Sequence, residues 1–105
     1  MRGYGNSSKP HEIEEYDIMK LTSDVIAIAD HLKCDSFNLI GHDWGGPTAY
    51  ALAASHPEAI KKLVILDVVI PGCGGDFSEG GRRWHHQFHM TADLPEDLIS
   101  GREEI

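Results

Sequence analysis

The sequence predicts an α/β fold built on one parallel βαβ unit. Two short apolar runs, Phe37-Asn38-Leu39-Ile40 and Leu63-Val64-Ile65-Leu66, are too brief for helices and too apolar for half-exposed strands. A helix-compatible stretch separates them. Strand, helix and strand within about thirty residues imply parallel strands joined by a right-handed crossover.

Along the chain, residues 1–10 carry Gly3, Gly5, Asn6, Ser7, Ser8 and Pro10, a density of turn formers that predicts a loop. From Asp17 the apolar residues Ile18, Leu21, Val25, Ile28 and Leu32 recur at spacings of three and four, which predicts a helix with one buried stripe. The run over 36–40 predicts a strand covered on both faces and stopping at Gly41. A second helix is expected over 45–55. Pro47 falls in its first turn, where no intrahelical bond is lost, and His56-Pro57 ends it. The second strand is expected over 62–67. Beyond Pro71, Gly72, Gly74, Gly75, Gly80 and Gly81 predict a flexible boundary, and Asp93 is the expected N-cap of another helix starting at Leu94.

The 105 residues hold 9 Lys and Arg against 17 Asp and Glu, a net charge of −8. With no basic run, the chain lacks the footprint that nucleic acid or an anionic membrane surface requires. No apolar run approaches the ~20 residues of a membrane span, and the N-terminus has no basic-then-apolar signal pattern. Cys34 and Cys73 form no CxxC pair, which argues against a disulfide scaffold or a thiolate zinc site. These features predict a soluble, cytoplasmic protein whose partner is a small, uncharged molecule. Two strands make too small a parallel sheet to stand alone, so the sequence reads as part of a longer protein. Residues 1–76 are the expected partial core and 77–105 the start of a second region.

The chemistry concentrates at Gly41-His42-Asp43-Trp44-Gly45-Gly46, a small-x-nucleophile-x-small pattern where a strand ends and a helix begins. Such a turn strains the backbone and brings chain segments close, which calls for glycine at positions 41 and 45. It would lift the Asp43 carboxylate above the C-terminal edge of the sheet, where open α/β folds form pockets. Aspartate in place of serine selects the reaction. A carboxylate attacking an acyl carbon forms an anhydride that reverts, whereas attack at a saturated carbon leaves an alkyl ester that water can hydrolyse. The amide N–H of Trp44 is the expected donor to the oxyanion of that hydrolysis.

Arg2-Gly3-Tyr4-Gly5-Asn6-Ser7-Ser8-Lys9-Pro10, the elbow at 41–46, Ser55-His56-Pro57-Glu58, Leu66-Asp67 and Trp84-His85-His86-Gln87-Phe88-His89 together resemble the α/β-hydrolase superfamily, in particular its epoxide hydrolase and haloalkane or haloacetate dehalogenase branch. The resemblance implies a partial α/β-hydrolase fold: the loop after the family's fourth strand, the strand bearing the elbow, the next strand, and the start of an inserted helical cap. It implies Asp43 as nucleophile, Trp44 as oxyanion donor and substrate contact, His85 as a substrate-binding residue, and neither cofactor nor metal. The family's His-Gly-x-Pro loop, ring-opening tyrosines, relay acid and catalytic histidine would lie outside this sequence, so the isolated chain is expected to be inactive.

Departures from the family pattern narrow the substrate. Fluoroacetate-type dehalogenases place arginines after the nucleophile to hold a carboxylate, and Trp44 and Pro47 stand there instead. The loop at 2–10 and the Trp-His-x-x-Phe-His pattern favour an epoxide hydrolase. A haloalkane dehalogenase, whose halide is held by a tryptophan such as Trp44, is the near alternative. A non-catalytic binding relative or an inert remnant is the alternative of another class. His42 is expected to pack rather than act as a base, Asp67 is a minor candidate for the relay acid, and Arg2 and Tyr4 are expected to brace the first loop. His85 and His89 are spaced for a metal clamp but lack a third ligand, so they read as residues lining a cap pocket.

Overall fold

The computed structural model describes residues 1–68 and 84–102, which fall into two compact units, one on either side of the gap. The boundary expected between 76 and 77, with its glycines, lies outside the described residues.

In the first unit a turn-rich loop leads through a short 3-10 turn, Ile13–Tyr16, into α1, Ile18–His31. Asp17 caps α1 by accepting a hydrogen bond from the Met19 amide at 2.8 Å. Strand β1, Phe37–His42, is followed by α2, Gly45–Ser55, a 3-10 turn at Pro57–Ala59, and β2, Ile60–Leu66. The strands pair in parallel, with Leu39 opposite Leu63, Gly41 opposite Ile65 and His42 opposite Leu66. The βαβ unit is therefore present. β1 runs two residues beyond the expected stop because Gly41 and His42 continue the ladder.

The expected coverage of both sheet faces is not found. Phe37, Leu39 and Gly41 alternate inward against the helices, while Ile40 is 66% exposed, and its face-mates Val64 and Leu66 are exposed too. Helix α2 packs on one face of the sheet and α1 packs on α2. Nothing among the described residues covers the other face.

The stripe expected on α1 also needs correction. Ile28 and Leu32 are exposed, and the buried positions are Thr22 and Ala29. These two residues are seven apart and so lie two turns along one helix face. Ile28 and Leu32 instead line an open groove with Met1, Ser7 and Ser8. The core centres on Leu52, with no exposed surface, and on Ala29, Ala49 and Ala59. The two buried hydroxyls bond within their own helices, Thr22 Oγ1 to the Met19 carbonyl at 2.8 Å and Thr48 Oγ1 to the Trp44 carbonyl at 3.3 Å.

The loop at 2–10 is held by Arg2. Its guanidinium donates to both carboxylate oxygens of Asp24, at 2.8 and 2.7 Å, and to the side chain and carbonyl of Glu15, at 2.9 and 2.7 Å. Lys20 joins the network through Glu15. Arg2 braces the loop as expected, but the second brace is Tyr16 rather than the exposed Tyr4. The Tyr16 hydroxyl donates to the Pro10 carbonyl at 2.8 Å, and its ring lies where a Cβ on Gly3 would fall.

The second unit holds α3, Trp84–Met90, and α4, Leu94–Ile99. Asp93 precedes α4 with a left-handed backbone, φ 63°, and its side chain makes no capping hydrogen bond. The first turn is closed instead by the Asp93 carbonyl, which accepts from the Asp97 amide at 3.0 Å.

Candidate active site

β1 delivers the chain to Asp43 at the C-terminal edge of the sheet, and α2 begins two residues later. Asp43 takes φ 51°, in the left-handed region that side-chain-bearing residues seldom occupy. Trp44 then returns to helical geometry, φ −57° and ψ −21°. The reversal is clamped from three directions: the Asp43 amide donates to the Leu66 carbonyl at 3.4 Å, the Gly46 amide donates to the Asp43 carbonyl at 2.7 Å, and the Trp44 amide donates to Asp43 Oδ1 at 2.8 Å. Asp43 is thus neither in a regular helix nor buried.

The glycines divide their work differently from the expectation. A Cβ on Gly41 would meet the Gly45 carbonyl and lie 2.7 Å from Ala49 Cβ, so the strand can pass beneath the first turn of α2 only without a side chain. At Gly45 a Cβ would meet nothing within 4 Å. The second crowded position is Gly46, where a Cβ would fall 2.9 Å from Val68 Cγ2. The Gly45 main chain crowds Gly41, whereas its own Cα points into open space.

Asp67 ends β2 one residue after Leu66, as Asp43 ends β1 one residue after His42, and it too has a positive φ, 58°. His42 does not pack as expected. Its place on the open sheet face leaves the ring 65% exposed, with Nε2 3.9 Å from Asp67 Oδ2. Two aspartates in uncommon backbone states and an imidazole therefore share one sheet edge. Trp44 lies on the same edge and is 61% exposed.

His85, on α3 of the second unit, is exposed, and His89 follows one turn later with its ring edge-on to Phe88, centroids 5.2 Å apart. Among the described residues no group of three or more His, Cys, Asp or Glu side chains could hold a metal ion, and no helix is long and apolar enough to cross a membrane.

A strand-to-helix elbow on a parallel βαβ unit defines a class of fold, and comparison with known proteins agrees with it. A family described as alpha/beta hydrolase fold matches residues 1–97. The chain belongs to that family. It is 32% identical over 104 residues to epoxide hydrolase 1 of Caenorhabditis elegans, covering 94% of this chain and 26% of that protein. It is 41% identical over 71 residues to epoxide hydrolase 4 of Mus musculus, covering 68% of this chain and 20% of that protein. Among solved structures, Cfl2 of Burkholderia cenocepacia superposes with a TM-score of 0.79 at 32% identity, covering 97% of this chain and 36% of that one. The chain thus spans about a quarter of the length of the first of these relatives.

Proposed function

We propose that this chain carries the nucleophile elbow of an Asp-nucleophile epoxide hydrolase. The observation that carries the reading is the Asp43–Trp44 geometry: a solvent-facing carboxylate at a strained strand-to-helix turn, with one oxygen already accepting the Trp44 amide at 2.8 Å. The names of the relatives supply the substrate class.

In this mechanism a carboxylate oxygen of Asp43 attacks a ring carbon of the epoxide. The ring C–O bond breaks, the freed oxygen takes a proton, and a hydroxyalkyl ester of Asp43 remains. Water then adds to the ester carbonyl. The charge that develops on the carbonyl oxygen falls on an atom of Asp43 itself, which is where the Trp44 N–H points. Collapse expels the diol and restores the carboxylate. Asp67, beside His42 at the end of the neighbouring strand, is kept as the minor candidate within this chain for the acid that orients the water-activating base. Residues 77–105 are proposed as the start of the family's helical cap region and His85 as a substrate-binding residue, and the substrate is a small apolar epoxide.

Replacing Asp43 by Asn in the enzyme that carries this segment tests the reading. Diol formation should fall on the order of 10⁴-fold or more. Unchanged turnover would overturn it. Halide release from a haloalkane, with no diol from an epoxide, would favour the dehalogenase reading that the Trp44 indole also fits.

A further inference from the structure

No further inference is drawn: the strongest candidate, the open apolar face of the two-stranded sheet formed by Ile40, Val64 and Leu66, carries nothing because nothing in the structure shows what covers it.

Discussion

The amide of Asp43 reaches across the ladder to the carbonyl of Leu66, at 3.4 Å, and this bond ties the end of β1 to the end of β2. As a result Asp43 and Asp67, the residues that follow the two strands, leave the sheet side by side, each with a positive φ. Uncommon backbone states persist where surrounding structure enforces them, and they concentrate at functional sites.

That strain predicts a measurable gain in stability when it is relieved. Asp43→Gly removes the Cβ that disfavours the left-handed region, so the folded state should gain about 1 kcal/mol while the carboxylate is lost. Chemical denaturation of the two chains checks this. A loss of stability would show that the Trp44 amide bond to Oδ1 outweighs the strain.

Gly41 and Gly45 should respond in opposite ways. Gly41→Ala forces a methyl group into the Gly45 carbonyl and Ala49, an overpacking that costs roughly 1–3 kcal/mol. Gly45→Ala meets open space at the start of a helix and should be neutral or stabilising by up to about 1 kcal/mol. Thermal unfolding of both variants separates the two outcomes.

The core is small enough that one residue should govern it. Leu52 is fully buried between α2 and its neighbours, and Leu52→Ala should cost about 2–5 kcal/mol, enough to remove a cooperative transition from a chain of this size. Ile40→Thr, on the open face, should change stability by no more than about 0.5 kcal/mol. Circular dichroism against denaturant would reveal the contrast.

The loop network predicts a dependence on acid. A hydrogen bond from Lys20 is the main cause that holds Glu15 below the usual carboxylate range, with Arg2 adding to it, and Arg2 does the same for Asp24. The Arg2 guanidinium is in turn pushed above its usual range, chiefly by its hydrogen bonds to Asp24, and stays charged throughout. A carboxyl lowered on folding contributes stability that is fully present above its unfolded value and is lost as pH falls through the folded one. Stability should therefore hold steady from about pH 7 to pH 5 and decline below about pH 4. Asp24→Asn should flatten part of that decline. An acid limb identical in the two chains would contradict the assignment.

Much of this organisation is legible in the sequence wherever local chemistry decides it. The bounds of α2 follow from Gly45, Pro47 and His56-Pro57, and the elbow follows from the spacing of glycines around Asp43. Periodicity gives the apolar stripe of α1, but it cannot say which of its positions a neighbour covers. Thr22 and Ala29 are the buried positions of α1, and Ile28 and Leu32 line the open groove. The crowding of Gly46 by Val68 and the meeting of His42 with Asp67 depend on the register between strands more than twenty residues apart, which no local pattern encodes.

The central claim is that Asp43 is consumed and regenerated in each turnover. A single turnover of the enzyme carrying this segment, with excess enzyme over epoxide in ¹⁸O-labelled water, followed by mass analysis of the peptide containing Asp43, tests it most directly. The account predicts ¹⁸O in the Asp43 carboxylate and an unlabelled oxygen in the diol, because water attacks the ester carbonyl rather than the epoxide carbon. Label in the diol with none in the Asp43 peptide would contradict it.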